Sequence, residues 1–180
     1  MPQPLSDLIQ SVSDRIRATN IPVVFAESCT AGLISACLAR VPGISEFLCG
    51  SAVVYQLATK TEWLGIRPEI LEHEGAVSEK VAIQMAVGVL ERTPAAMIAA
   101  SVTGHLGPGA PPEQDGLIYV AIAMRTGHGC DVQVFRHVLP AQITGLPILD
   151  VDSLREWRQW KAVEEVLTRL HQALEVLEKT

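Results

Sequence analysis

The 180-residue sequence contains no apolar stretch of the length that a membrane-spanning helix requires, although 48% of its residues are hydrophobic. Its N-terminal segment, MPQPLSDLIQ, also lacks the charged and then apolar pattern of a secretory signal. We therefore expect a cytoplasmic protein without a membrane partner. The length suits one domain with a full core and is short for two, so we predict a single domain over residues 1–180.

Runs of basic residues are absent as well. Lys and Arg number 14 against 20 Asp and Glu, which gives a formal net charge of −6. This balance argues against a nucleic-acid partner, because surfaces that bind nucleic acid are basic. An anionic ligand would instead need a local site.

Cysteine is sparse and shows no pairing pattern. The four cysteines, Cys29, Cys37, Cys49 and Cys130, form no C-x-x-C pair and lie mainly in apolar surroundings. That pattern is typical of reduced thiols, so we expect neither disulfides nor zinc. The histidines show no spacing suited to metal ligation on one element. We therefore predict no metal and no cofactor.

What the sequence does contain is a regular alternation of helix-like and strand-like apolar spacing. Helical spacing covers residues 5–16, 33–41, 59–64, 78–92 and 153–177. Gly65 and Pro68 are interpreted as the end of the third of these helices, and Ser78 as the cap of the fourth. Apolar runs typical of strands cover residues 21–26, 48–55, 97–102, 117–124 and 132–139. The last two strands are separated by a glycine-containing turn and predict an antiparallel hairpin. Together these elements predict an α/β protein, a three-layer α/β/α single domain with a mixed, mostly parallel sheet.

The segment 27–32, Glu-Ser-Cys-Thr-Ala-Gly, stands where the first predicted strand gives way to a helix. A helix N-terminus offers unpaired N–H groups and partial positive charge, which can hold an anion or stabilise an oxyanion. Ser28 is therefore a candidate nucleophile. The alternative is that Ser28 or Thr30 simply caps the helix, a common role of these residues. The segment lacks the G-x-S-x-G elbow of the α/β-hydrolases.

Tyr55 and Lys60 follow the next predicted strand and are candidates for the same edge of the sheet. A partly desolvated lysine has a lowered pKa and can act as a base toward a serine hydroxyl. The alternatives are that Lys60 is an ordinary solvated surface lysine and that Tyr55 is a core aromatic whose hydroxyl reaches solvent.

The segment 103–112 is the dense glycine and proline region of the chain. Its glycines would let backbone N–H groups approach a phosphate. It lacks the Gly-Lys-Ser/Thr ending of a Walker loop and leads into a strand, so we do not predict an ATPase. The alternative is a tight connection without a ligand.

These segments, in their order and spacing, resemble the CinA C-terminal domain family. The resemblance covers about residues 5–175 and includes enzymes that hydrolyse the carboxamide of nicotinamide mononucleotide (NMN) to nicotinate mononucleotide and ammonia. The matching residues are the segment 27–32, Val53-Val54-Tyr55 with Lys60, Gly75-Ala76-Val77-Ser78, and Thr103-Gly104 with Gly107-Pro108-Gly109.

The resemblance implies a serine mechanism for a small nucleotide substrate. Ser28 would attack the amide carbon, Lys60 would take the serine proton, and Tyr55 would orient the lysine or relay a proton to the departing ammonia. Backbone N–H groups near Ser28, joined by the Thr103-Gly104 segment, would hold the oxyanion. Arg155, in the last helix, would neutralise the phosphate. The residues that the resemblance assigns to substrate binding are Cys29, Thr30, Gly32, Thr103, Gly104, Gly107 and Arg155.

The chain departs from the family pattern at several positions. Ala31 replaces the first of two glycines, and His105 and Leu106 are bulkier than the residues usually found in the glycine-rich loop. The segment 142–151 is apolar and contains proline where a shorter connection is typical. Two other functions therefore remain open: a serine amidase for another small carboxamide, and a catalytically silent nucleotide-binding or assembly module.

The oligomeric state is weakly constrained by the sequence. Trp157 and Trp160 lie about one helical turn apart near the start of the last predicted helix. They suggest a contact in a homo-oligomer. The alternative is that both side chains pack against the protein's own sheet.

Overall fold

Helices and strands alternate along residues 3–141 and 151–178, which are the residues that the computed structural model describes. The helices are α1 (Gln3–Thr19), α2 (Leu33–Leu38), α3 (Leu57–Leu64), α4 (Pro68–Glu74), α5 (Glu79–Glu91) and α6 (Val151–Glu178). The strands are β1 (Val23–Glu27), β2 (Leu48–Val53), β3 (Ile98–Gly104), β4 (Leu117–Thr126) and β5 (Gly129–Val138).

The five strands form one sheet in the order β2-β1-β3-β4-β5. β1 pairs in parallel with both β2 and β3, whereas β4 is antiparallel to β3 and β5. β4 therefore runs opposite to the other four strands. The predicted mixed sheet and the predicted hairpin of β4 and β5 are both confirmed.

Helices cover both faces of this sheet. Helices α1, α2 and α6 pack on one face, and α5, supported by α3 and α4, packs on the other. β1 is buried along its whole length, with Phe25 in the core beneath α1 and α6 and Val24 and Ala26 in the core beneath α5. A strand that is buried on both faces has a continuous apolar run. The predicted three-layer α/β/α architecture is confirmed.

One helix differs from the sequence prediction. α4 was not predicted, because Gly65 and Pro68 were interpreted as the end of a helix. Gly65 does end α3, but Pro68 is the first residue of α4, a position where its missing N–H costs no hydrogen bond. At α5 the prediction is confirmed, since the Ser78 hydroxyl accepts a hydrogen bond from the Val81 N–H at 3.3 Å.

The topology gathers three loops at one edge of the sheet. Glu27, the last residue of β1, lies in register with Val53 of β2 and Val102 of β3. Because these strands are parallel, the chain leaves all three at the same edge, where ligands bind in open α/β sheets. The segment 142–150, part of the predicted long connection, lies outside the described residues. Within the described ranges, no helix combines the length and apolar character needed to cross a bilayer.

Candidate active site

Ser28 directly follows β1 and is buried at the carboxyl edge of the sheet. Its backbone N–H donates to the Val102 carbonyl at 3.1 Å, which extends the pairing of β1 with β3 by one residue. Its hydroxyl oxygen accepts a hydrogen bond from the Lys60 amine at 3.0 Å. The position of Ser28 is therefore fixed by the sheet on one side and by α3 on the other.

The alternative interpretation, in which Ser28 or Thr30 caps the next helix, is wrong. α2 begins at Leu33, and its N-cap residue is Gly32, with a φ of 96° and no side-chain capping bond. The anion at this helix N-terminus is the carboxylate of Glu27, the preceding residue in the strand. It accepts the backbone N–H groups of Gly32, Ile34 and Ser35 at 3.0, 3.0 and 3.1 Å.

Lys60 is a buried base candidate, not the solvated surface lysine that the sequence left open. It shares the inner face of α3 with Leu64, one turn later, and its side chain is 1% exposed. Its amine donates to the Val54 carbonyl at 2.6 Å as well as to Ser28. Among the described residues, no carboxylate forms an ion pair with it. Burial without a counter-charge lowers the pKa of Lys60 from 10.5 to about 8.

Tyr55 is at the site but has a different partner from the one expected. Its side chain is 54% exposed, so it is not a core aromatic. Its hydroxyl accepts a hydrogen bond from Arg155 at 2.7 Å, and Arg155 also donates to the carbonyl of Gly107. The carbonyl of Val54, not Tyr55, orients Lys60.

A cavity of about 300 Å³ opens beside Ser28 and Lys60. Most of the predicted site residues line it, namely Ser28, Cys29, Tyr55, Lys60, Thr103, Gly104, Gly107 and Arg155. Larger surface cavities lie between α4 and α5 and along α1, but none of the predicted site residues lines either of them. The cavity at the carboxyl edge of the sheet is therefore the candidate active site.

Two members of the predicted substrate-binding set, Thr30 and Gly32, lie in the turn after Ser28, and their role in binding remains a prediction. Neither residue lines the cavity. The Thr30 hydroxyl donates to the Glu27 carboxylate at 2.8 Å, and the Gly32 N–H donates to the same oxygen. These two hydrogen bonds stabilise the local fold of the turn. Thr103 does line the cavity, but its hydroxyl donates to the Ala76 carbonyl at 2.8 Å and ties β3 to the loop before α5.

Arg158 and Asp115 hold the glycine-rich loop and were missed by the sequence analysis. Arg158 is 1% exposed and forms two hydrogen bonds to the Asp115 carboxylate, at 2.8 and 2.7 Å, and a third to the Leu106 carbonyl at 3.3 Å. The hydrogen bond from Arg158 holds the pKa of Asp115 below its ordinary value. The helical spacing could have indicated that Arg158 is buried, because it lies four and eight residues before the buried Ala162 and Val166 and therefore on the same face of α6.

The thiol next to the candidate nucleophile, that of Cys29, is buried. Burial raises the pKa of the Cys29 thiol to about 12. All four cysteines of the chain are free. No group of three or more His, Cys, Asp or Glu side chains in the part of the chain that the structure describes is arranged to hold a metal ion.

Trp160 packs against the core formed with α1 and β3, which favours intramolecular packing for this residue. The homo-oligomer remains a prediction.

The fold and the site together define an α/β/α protein with a buried serine–lysine pair at the carboxyl edge of its sheet. The chain belongs to the CinA C-terminal domain family, whose model matches residues 5–143. The family resemblance predicted from the sequence is therefore confirmed.

The relatives of the chain are longer proteins. A CinA-like protein of Dictyoglomus thermophilum is 40% identical over 122 residues, which are 67% of this chain and 29% of that protein. A Moorella thermoacetica relative is 33% identical over 171 residues, which are 93% of this chain and 37% of that protein. The chain thus spans about a third of the length of these curated relatives.

Solved structures match nearly the whole chain. Competence damage-inducible protein A of Klebsiella pneumoniae has a TM-score of 0.81 at 25% identity, and the match covers 94% of this chain and 96% of that chain. A competence/damage inducible protein of Agrobacterium tumefaciens has a TM-score of 0.76 at 30% identity, with 94% and 97% covered.

Proposed function

We propose that the chain is a nicotinamide-nucleotide amidohydrolase that converts NMN to nicotinate mononucleotide and ammonia. The observation that carries the proposal is the 3.0 Å hydrogen bond between Ser28 and a fully buried Lys60. A serine is a weak nucleophile unless a base takes its proton, and a lysine with a lowered pKa is such a base. Family membership supports the substrate class.

In the first step Lys60, as the neutral amine, takes the hydroxyl proton of Ser28 while the serine oxygen attacks the amide carbon. A tetrahedral intermediate forms and its oxygen becomes negative. Among the described residues, the backbone N–H groups of Cys29 and Thr30 donate to no other oxygen, whereas the Ser28 N–H is already bonded to Val102. Cys29 and Thr30 are therefore the proposed oxyanion donors.

In the second step the protonated Lys60 returns its proton to the departing nitrogen. The carbon–nitrogen bond breaks, ammonia leaves, and the acyl group remains as an ester on Ser28. Water then attacks this ester, with Lys60 again taking a proton. The ester bond breaks, the carboxylic acid leaves, and the serine hydroxyl is restored.

Arg155 is the proposed phosphate partner. Its guanidinium is held at the cavity wall by Tyr55 and by the Gly107 carbonyl, so its orientation is fixed before a ligand binds. A planar guanidinium with several N–H donors suits bidentate binding of a phosphate. Tyr55 then acts on the substrate through Arg155.

The test is ammonia release from NMN by the purified protein, by its Ser28→Ala variant, and by the protein with a chelator present. We expect release that the chelator does not change and that the variant loses. Release that persists in Ser28→Ala would contradict the serine mechanism.

A second candidate substrate class is supported by His105 and Leu106, which line the cavity and differ from the usual family residues. Ammonia release across a panel of small carboxamides separates this alternative from NMN hydrolysis. Absence of release from every amide, with nucleotide binding intact in both Ser28→Ala and Lys60→Ala, would instead indicate a catalytically silent module.

A further inference from the structure

Glu27 has the most complete hydrogen-bond environment near the cavity, although it does not line the cavity itself. Its side chain is fully buried. One carboxylate oxygen accepts from the Thr30 hydroxyl and from the N–H groups of Gly32 and Ile34. The other accepts from the Ser35 N–H and hydroxyl and from the Ser51 hydroxyl, at 3.1, 3.0 and 2.9 Å. A buried carboxylate needs hydrogen-bond donors of this kind, and the turn after β1 and the start of α2 supply most of them.

The turn that carries Ser28 has an unusual backbone. Ala31 and Gly32 both have left-handed φ angles, 51° and 96°. A left-handed alanine is strained, and such a conformation persists only where the surroundings determine it. Here the determining contacts are those that Glu27 makes on both sides of Ala31, to Thr30 and Gly32.

The peptide group between Cys29 and Thr30 is fixed from two directions. Gln159 of α6 donates to the Cys29 carbonyl at 3.3 Å, and the Thr30 side chain is held by Glu27. Because a peptide group is planar and trans, the Thr30 N–H points away from the Cys29 carbonyl and hence from Gln159. Its direction is thus set by contacts outside the cavity.

We propose that Glu27 is a positioning residue that acts through Thr30 to aim the backbone N–H groups of the oxyanion site. The inference rests on the proposed role of Ser28 as a nucleophile. It also explains why Thr30, one of the residues expected to bind substrate, has its hydroxyl turned into the protein. A purely structural Glu27 would affect folding alone, whereas a positioning Glu27 also affects the reactivity of Ser28.

The experiment measures the rate at which a fluorophosphonate modifies Ser28, followed by intact mass. In this reaction the Ser28 oxygen–phosphorus bond forms, the phosphorus–fluorine bond breaks, fluoride leaves, and the hydroxyl proton passes to Lys60. The negative charge that develops on the phosphoryl oxygen needs the same N–H donors as an amide oxyanion. The reaction does not require NMN to be the substrate.

The key variant is Thr30→Val, which keeps the side-chain shape and removes the hydroxyl that Glu27 accepts. We expect modification about tenfold slower than in the unchanged chain, with the apparent pKa of the reaction unchanged because Lys60 keeps its contacts. Thr30→Ser restores the hydroxyl and is expected to recover the rate. The matched control is Ser101→Ala, which removes a fully buried hydroxyl that donates to the Ala82 carbonyl at 2.6 Å, away from the turn.

Glu27→Gln is measured alongside, so that the test does not depend on one variant folding. It is expected to slow modification at least as much as Thr30→Val, because it places an amide NH₂ against backbone N–H donors. Equal rates in Thr30→Val, Ser101→Ala and the unchanged chain would overturn the positioning role. Absence of modification in the unchanged chain would overturn it together with the Ser28 nucleophile. Modification that follows this pattern without ammonia release from NMN supports the inference and rejects the proposed substrate.

Discussion

Two buried basic side chains, Lys60 beside Ser28 and Arg158 beside the glycine-rich loop, have opposite surroundings. Lys60 and Arg158 are each 1% exposed. Arg158 has a bidentate carboxylate partner in Asp115 and carbonyl partners in Leu106 and Pro140. Among the residues that the structure describes, the partners of the Lys60 amine are the Ser28 hydroxyl and the Val54 carbonyl, and neither carries a charge. The same degree of burial thus produces a neutralised ion pair in one place and an uncompensated amine in the other.

The difference between the two surroundings indicates which side chain is structural and which one can act as a base. Arginine does not lose its proton in proteins, so a buried arginine must be matched by acceptors and becomes an anchor. Lysine releases its proton when burial is not compensated, and it then becomes a base. Arg158 accordingly fixes the loop, and Lys60 is placed to activate Ser28.

The largest effect is expected from Lys60→Met, which removes the uncompensated cation. Turnover that depends on Ser28 should fall about 10³-fold, because the general base is lost. The free energy of unfolding should stay the same or rise, because a buried charge is replaced by an apolar side chain of similar length. Ammonia release and urea denaturation measure the two effects. Activity of Lys60→Met within about tenfold of that of the unchanged chain would show that Lys60 is not the general base.

The next effect is expected from Asp115→Asn, which leaves Arg158 buried without its counter-charge. We expect a loss of about 2 to 3 kcal/mol in the free energy of unfolding, below the usual range for a buried pair. The reduction reflects the 37% exposure of the Asp115 side chain and the remaining contacts of Arg158 to the carbonyls of Leu106 and Pro140.

The control for Asp115→Asn is Glu164→Gln, since the Glu164–Lys161 pair is about 40% exposed on both sides. It should cost less than about 0.5 kcal/mol. Urea midpoints of the two variants are compared at one pH. Equal losses would mean that Arg158 is not an anchor.

A smaller effect is expected in the pH dependence of stability. The pKa of Lys60 is about 8 in the folded chain and 10.5 when unperturbed. Between these values the unfolded chain binds more protons, so stability rises with pH, whereas below about pH 8 the destabilisation from burying the charged amine is present in full. The unfolding free energy, relative to Lys60→Met, should rise by about 1 to 2 kcal/mol from about pH 8 to about pH 9.5. A difference that stays constant or falls over this interval would contradict the lowered pKa.

The smallest effect concerns the Cys29 thiol, which lies next to the Ser28–Lys60 pair. Burial also favours the neutral form of this thiol. Because burial raises the pKa of Cys29 to about 12, iodoacetamide should leave Cys29 unmodified at about pH 8 while it alkylates the exposed Cys49. Peptide mass mapping measures both sites. Rapid alkylation of Cys29 would show that the cavity does not favour neutral groups.

The sequence predicted the layers and the sheet because apolar periodicity reports which faces are buried. The buried run of β1 and the hairpin of β4 and β5 were visible in this way. The start of α2 at Leu33 agrees with the predicted helical spacing as well. The acceptor of its first N–H groups was not predicted, because Glu27 lies in the preceding strand, whereas the capping alternative named Ser28 or Thr30. Pro68 was misinterpreted because the same residue can end a helix or begin one.

The candidate site was predicted in outline, and its supporting contacts were not. Family resemblance singled out Ser28 and Lys60, which the structure brings within hydrogen-bond distance although 32 positions separate them. The partner of Tyr55 lies 100 positions away in α6, and the partner of Arg158 lies 43 positions away. Such long-range pairs leave no local pattern, so single-sequence reasoning could not assign them.

The most direct test of the account is the pH profile of kcat/KM for ammonia release from NMN by the unchanged chain. If neutral Lys60 is the base, kcat/KM should rise about tenfold per pH unit below about pH 8 and level off above it. A profile that is flat through this range, or that falls as the pH rises, would contradict the claim that an uncompensated buried lysine activates Ser28.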